Sequence, residues 1–295
     1  MVGRGRGWLQ CVRLPVLFEG SGCAAGPEAL LVMMSRKIVM LGSSPRTQRS
    51  QSAIQLPVGQ ECTSSAPLFY YSPSDFIYDL RNVPSSQSDE NRTRNAKDER
   101  LFNYDLNCMY KLLDGDFNLS VQLNVERGEM RRKPMHFRAV REPFNHLRWN
   151  FAKLKQNEII LYLRRKDGFP SSDPLDRHVV AINAAPLERG HSLLLPSINR
   201  CSPQVLSEVA VRLATDVMLL TNNESFHVLF NSLLGQASIN HLHLHMLTWP
   251  YDSDLINRKC EHLYDNIYVM KRPVWYAHAL VSQLPSPDHY ETFVK

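Results

Sequence analysis

The chain has 295 residues, 43% of them hydrophobic, and a formal net charge of +5. Seven of the 34 basic residues but only two of the 29 acidic ones fall in residues 1–60, so 27 of each sign lie beyond, and that larger part lacks the basic excess that drives non-specific nucleic-acid binding. No apolar run reaches membrane-spanning length, because Arg36 and Lys37 break the stretch 29–41, and six scattered cysteines without a C-x-x-C pair read as reduced thiols of a cytoplasmic protein.

Residues 1–68 lack sustained periodicity and are rich in Ser, Gly, Gln and Pro, the composition of a largely disordered tail. Their Arg-rich, acid-poor start has a faint likeness to a mitochondrial presequence, which the tail reading outweighs. Phe69–Leu80 is aromatic-rich and expected to dock on the core, and Val83–Glu99 reads as a polar, flexible insertion. Leu101, Leu106, Met109, Tyr110 and Leu113 have helical spacing over 98–113, stopped by Gly115. Phe117–Val125 alternates like a strand. The basic cluster Arg127, Arg131, Arg132 and Lys133 then reads as a solvated loop.

From residue 150 the pattern becomes strand-rich. Glu158–Leu163, His178–Asn183 and His191–Leu195 are predicted strands, with Gly190 supplying the turn before the third. Ser202-Pro203 is read as a helix start, and Leu206, Val209, Leu213, Val217 and Leu220 give that helix one apolar face. Ser225–Asn231, Ile239–Trp249, Ile267–Met270 and Val274–Leu284 are further strands, and no terminal helix stands out after them. Strands outnumber helices and many connections are short. The expectation is therefore an α+β domain over 69–295, an antiparallel sheet with helices packed on it.

The chemistry concentrates in His241-Leu242-His243-Leu244-His245-Met246. Strand side chains alternate faces, so the three imidazoles share one face while Leu242, Leu244 and Met246 share the other. Three imidazoles side by side suit a metal site or phosphoryl chemistry, in which one neutral imidazole attacks phosphorus and another stabilises charge or moves a proton. A third reading is a hydrogen-bonded histidine ladder with no chemistry. The preceding loop, Asn231 to Ser238 with Gly235 inside it, favours phosphate, because small residues expose backbone N–H groups and a hydroxyl to phosphate oxygens.

The string HLHLHML over 241–247 resembles the signature of the histidine triad superfamily. With Asn231-Ser232-Leu233-Leu234-Gly235 before it, the run is similar to the GDP-D-glucose phosphorylases of animals, relatives of plant GDP-L-galactose phosphorylase. Further blocks carry the same resemblance from about Asp75 to Leu284: Gln122–Gly128 with Arg131–Pro134, Asn150–Lys153, and Asn183–His191 with Leu193–Pro196.

The resemblance implies that His243 carries a covalent guanylyl group, that His245 contacts phosphate and that His241 orients the site. It implies that Asn231, Gly235 and Ser238 contact phosphate, that Asn183 meets the ribose hydroxyls, and that Phe151 and Lys153 lie in a wall of the base pocket. His191 is expected to be structural. The implied reaction is attack of inorganic phosphate on guanylyl-histidine, formed from GDP-D-glucose, without metal or cofactor and without a nucleic-acid or membrane partner. A nucleotide hydrolase, with water in place of phosphate, and a non-catalytic nucleotide-binding form are the alternatives. Members of that family continue past the point where this chain stops, so the carboxyl end of the domain is expected to be incomplete.

Overall fold

The computed structural model describes residues 9–13, 16–19, 29–39, 66–77, 101–117, 119–133, 135–167, 177–221, 223, 225–249, 255, 258–275, 278–284 and 286–294. In chain order the elements are β1 (Leu9–Arg13), β2 (Val16–Glu19), β3 (Ala29–Val39), β4 (Leu68–Tyr71), β5 (Met109–Leu112), β6 (Ser120–Leu123), α1 (Val125–Met130), β7 (Ile159–Arg165), β8 (His178–Ile182), β9 (Ser192–Leu195), α2 (Glu208–Leu220), β10 (Phe226–Asn231), β11 (Leu244–Thr248), β12 (Glu261–Tyr264), β13 (Ile267–Met270), β14 (Ala279–Ser282) and α3 (Pro287–Val294). In the span read as a tail, three segments are thus strands. The rest of residues 1–65, and the insertion read at 83–99, lie outside the described residues.

One large sheet runs β12-β13-β14-β2-β3-β10-β11-β9-β8-β7-β4, with β1 paired to the far end of β3, and β5 and β6 form a separate hairpin. Every pairing is antiparallel except β4 with β7. The fold is α+β, as expected.

Parity along the strands decides which face does what. Val180, Leu194, Val228, Phe230, Leu244 and Met246 pack with Ala210, Leu213, Ala214, Val217 and Met218 of α2. The alternate residues Val179, Ala181, Leu193 and Leu195 face the other way and pack with Phe151, Ile198 and Ile239. Because Leu244 lies opposite Leu194 and His245 opposite Leu193, His243 and His245 fall on the face away from α2. Burial of the α2 face is the larger part of the core, and each fully buried Leu or Met there contributes about 1.5–3 kcal/mol.

Several local expectations change. The helical spacing over 98–113 yields no helix, because Met109–Leu112 pairs with Ser120–Leu123 instead. The solvated loop expected at Arg127 is the helix α1, capped where the Asn124 side chain accepts the Arg127 N–H at 2.8 Å. α2 starts at Glu208 rather than at Pro203, with the Ser207 hydroxyl accepting from Ala210 N–H. The strand expected over Ile239–Trp249 begins only at Leu244. A helix, α3, forms where none was expected, burying Tyr290 and Val294 against Leu219 and Leu284. The aromatic segment does dock: Tyr71 is buried and Phe76 packs on both Tyr71 and Tyr290.

α3 is fastened through a buried polar cluster. Tyr71 Oη donates to Asp216 Oδ2 at 2.8 Å, and Tyr290 Oη donates to Asp216 Oδ1. Arg165 Nη1 donates to Tyr290 Oη at 3.0 Å and lies 3.6 Å from Asp216 Oδ2. Burial pushes the Asp216 carboxyl up and both phenols up, while the two hydroxyls and the guanidinium work to hold the carboxylate. Four elements, β4, β7, α2 and α3, meet at this one carboxylate.

Candidate active site

The histidine run leaves the sheet before it reaches His241, so side-chain bonds replace the ladder there. β10 pairs with β11 only as far as Leu229 opposite His245. Beyond that point the buried amide of Gln204 bridges the two chains. Its Nε2 donates to Asn231 O at 2.9 Å and to His243 O at 3.0 Å, and its Oε1 accepts His243 N–H at 2.8 Å. Gln204 N–H in turn donates to Asn240 Oδ1 at 2.8 Å, and Asn240 Nδ2 reaches the carbonyls of Glu142 and Pro143 at 3.1 and 3.0 Å. Gln204 therefore fixes both ends of the His243 peptide.

Each imidazole has its tautomer set by a backbone group or by another ring. His241 Nδ1 accepts the Phe151 N–H at 3.0 Å, so its proton sits on Nε2 and is donated to Ile198 O at 3.2 Å. Both nitrogens of His241 are thus occupied. His243 Nδ1 donates to the His241 carbonyl at 2.7 Å, which leaves Nε2 as an unprotonated lone pair with no hydrogen bond among the described residues. His191 Nδ1 accepts the Leu187 N–H at 2.9 Å, so His191 Nε2–H points its proton at His245 Nδ1, 3.0 Å away. The His245 proton is then on Nε2.

The rings form a row. Phe151 packs on His241 and His243 with centroids 5.7 and 5.1 Å away; His243 and His245 are 5.2 Å apart, and His245 and His191 5.1 Å. Asn183 flanks His191, with Nδ2 3.1 Å from Nε2 and Oδ1 held by Ala185 N–H. Phe151, His241, His243, His245, His191 and Asn183 are therefore one cluster. Lys153 stands apart from it: its ammonium is exposed and donates to Arg148 O at 3.1 Å. A cavity of about 430 Å³ adjoins His241 through Phe144 and Asn240, and is lined also by Met135, Glu142, His146 and Trp149.

The 231–238 loop is held from inside. Asn231 Nδ2 donates to Gly235 O at 2.9 Å, and the N–H groups of Gly235 and Ala237 both turn onto Ser232 O. The Gly235 N–H is accordingly committed within the loop. Leu234 and Gln236 on either side of it take positive φ of 66° and 73°, a conformation that stores strain in residues with a Cβ and is concentrated at functional sites. Asn231 Oδ1 is buried without a partner. Ser238 is half-buried beside the run.

Burial keeps the row neutral. It lowers His241 and His243 to about 4 and His191 to about 3, and holds His245 well below the ordinary histidine value of 6.5. Neighbouring charge adds to this: His243 on His241, and His191, His243 and Arg127 on His245. The buried His227 is likewise lowered to about 4.

The sign of the stability effect follows. Below pH 6.5 the unfolded chain binds protons that the folded chain refuses, so stability is fully present above about 6.5 and falls as pH drops toward 4. A group shifted from 6.5 to about 4 removes about 3 kcal/mol across that window, and several such groups together exceed an ordinary domain's stability. Acid unfolding followed by circular dichroism is expected to have its midpoint between pH 6.5 and 4. A chain still fully folded at pH 4 would contradict the buried, neutral row.

Three contributors were missed or undervalued in the sequence: Gln204, His191 and Arg127. Gly190 before His191 carried a signal, and it does take φ 74°. Among the described residues no helix is long and apolar enough to cross a membrane, and no group of three or more His, Cys, Asp or Glu side chains is arranged to hold a metal ion.

Comparison with known proteins brings in relatives that bear on this cluster. Residues 90–247 match the family described as GDPGP1-like, N-terminal domain. The chain is 57% identical over 289 residues to GDP-D-glucose phosphorylase 1 of Caenorhabditis elegans, covering 90% of this chain and 60% of the nematode protein. It is 41% identical over 146 residues to GDP-D-glucose phosphorylase 1 of Homo sapiens, covering 49% of this chain and 38% of that protein. To GDP-L-galactose phosphorylase 2 of Arabidopsis thaliana it is 35% identical over 157 residues, covering 48% and 36%. The chain thus spans 60% or less of the length of each of these curated relatives. No solved structure gives a significant match.

Proposed function

Because the chain belongs to the GDPGP1-like family, matched over residues 90–247, we propose that it catalyses the phosphorolysis of GDP-D-glucose to GDP and D-glucose 1-phosphate. One observation carries the chemistry: the His241 carbonyl pins the His243 proton on Nδ1, and burial keeps the ring neutral, so Nε2 is an unprotonated nucleophile wherever the chain is folded. The names of the nematode and human relatives support the choice of GDP-D-glucose.

In this reading His243 Nε2 attacks the α-phosphorus of GDP-D-glucose. Glucose 1-phosphate leaves with the electron pair of the broken P–O bond, and as a phosphate monoester it needs no proton to depart. Inorganic phosphate then attacks the guanylyl-histidine and GDP is released. His245 Nε2–H donates to a non-bridging oxygen, where charge builds up in the transition state. His241 holds His243 in place. Asn183 takes the ribose, and the loop of Asn231, Gly235 and Ser238 takes phosphate oxygens; since Gly235 N–H is spent internally, its part is to shape the loop. Phe151 walls the site, and Lys153 lies at its margin. The cavity beside Phe144 and Trp149 offers aromatic faces to the guanine base. No cofactor takes part in these steps. A cytoplasmic setting suits the reading, since Cys108 and Cys201 are thiols.

The test is the dependence of turnover on inorganic phosphate. GDP and glucose 1-phosphate are expected in equal amounts, at a rate that rises and saturates with phosphate. Release of GMP at a rate indifferent to phosphate would replace this reading with hydrolysis.

A further inference from the structure

α1 carries a guanidinium with an unmet hydrogen-bond donor. The main chain of Arg127 is fixed at both ends, its N–H on Asn124 Oδ1 at 2.8 Å and its carbonyl accepting Arg131 N–H at 3.1 Å. Its side-chain Nε is buried and makes no hydrogen bond among the described residues, and neither does the Oε2 of the adjacent Glu126. The other Glu126 oxygen accepts from Asn107 Nδ2 at 3.2 Å. A half-buried guanidinium with an unmet Nε–H donor is suited to an anion that comes to it.

The place of Arg127 says which anion. The β5–β6 hairpin that leads into α1 is bonded to the Leu187 peptide: Gln122 Nε2 donates to Leu187 O at 2.5 Å, and Cys108 Sγ contacts the same oxygen at 3.9 Å. Leu187 N–H holds His191, and His191 holds His245. Leu187 therefore holds, through its carbonyl, the hairpin that leads to Arg127 and, through its N–H, the ring that bonds His245. The Arg127 charge reaches both rings and helps to keep them neutral.

We infer that Arg127 is the seat of the transferable phosphate: it binds inorganic phosphate for the second half-reaction, and the phosphate of departing hexose 1-phosphate in the first. This rests on the guanylyl-transfer reading above. Guanidinium pairs with phosphate through two parallel N–H···O bonds, which gives orientation as well as attraction. With phosphate seated there, one of its oxygens bonds to the α-phosphorus as the P–N bond to His243 Nε2 breaks. The imidazole keeps that electron pair and the Nδ1 proton it already had. The phosphate's own proton stays on the terminal phosphate of GDP until solvent takes it. Water is neutral and gains nothing from Arg127, so this one side chain favours phosphorolysis over hydrolysis.

The full chain carrying Arg127→Met is compared with wild type, with Arg127→Lys as the charge-keeping control and melting curves to establish folding. Arg127→Met is expected to raise KM for inorganic phosphate at least about tenfold and to shift products from GDP toward GMP. Arg127→Lys is expected to recover part of both. An unchanged phosphate KM and GDP-to-GMP ratio in folded Arg127→Met overturns the seat. Should that variant not fold, Arg127→Gln carries the same comparison. Calorimetric titration with inorganic phosphate alone gives an arm independent of turnover. Binding by wild type that weakens at least about tenfold in the variant supports the seat, even if GDP-D-glucose is not turned over, a result that counts against the proposed function only. Equal binding by both proteins, or none by either, overturns the seat.

Discussion

Replacing His243 by alanine is expected to abolish covalent capture of the guanylyl group from GDP-D-glucose labelled in guanine, and to lower kcat by about 10⁴-fold or more, the scale seen when a covalent nucleophile is removed. His243→Asn is the more searching variant. Its Nδ2–H can still donate to the His241 carbonyl, which in wild type accepts from His243 Nδ1 at 2.7 Å, so the local fold is retained while the Nε2 lone pair is gone. His243→Asn should melt close to wild type at neutral pH, and both variants should lack the acid-labile phosphoramidate expected of wild type. Undiminished labelling in either would remove His243 from the chemistry. His245→Asn should instead keep labelling and slow it, because in the proposed mechanism His245 offers charge stabilisation rather than a bond to phosphorus.

The largest effect on stability is expected away from the histidines. Asp216→Ala takes the shared acceptor from Tyr71 and Tyr290 and leaves the buried Arg165 to its pair with Asp167, 2.9 Å from Nε. Leaving two buried hydroxyls without their acceptor and weakening the Arg165 pairing costs about 2–4 kcal/mol. The urea midpoint should fall accordingly with little change in slope. The double variant Asp216→Leu with Arg165→Met should be less destabilised than Asp216→Ala alone, since neither charge then remains to be buried. A single variant within about 0.5 kcal/mol of wild type would show that the cluster contributes little.

How far the sequence revealed this architecture depends on how local the deciding interaction is. The apolar partners of the run behaved as alternation requires, with Leu242, Leu244 and Met246 all in the core under α2. The inference that the run is one strand from Ile239 did not hold, because a side chain 39 residues earlier, Gln204, takes over the bonds of His243. Nothing near Gln204 announces this. The mistaken helix over 98–113 is of the same kind: its spacing was sound, but pairing with β6 prevailed. Two other misses were legible. Asn124 followed by Glu126 is an ordinary helix start, and so is Pro287 followed by Asp288. At the site, spacing identified His241, His243 and His245, and the resemblance supplied Asn183 and Phe151. The pairing of His191 with His245 arises because β9 lies beside β11, a neighbourhood that no sequence window contains.

The amide of Gln204 has a mechanical meaning as well. It works as a pin through two adjacent strands at the point where their own bonds stop. In an ordinary hairpin the number of residues between two strands is tied to their register, so that lengthening the loop by one drags the next side chains to the wrong face. Here Gln204 fixes Asn231 on one side and His243 on the other. The length of chain from Ser232 to Asn240 is thereby uncoupled from the register of the histidines, and that segment takes its shape from its own internal bonds onto Ser232 O and Gly235 O.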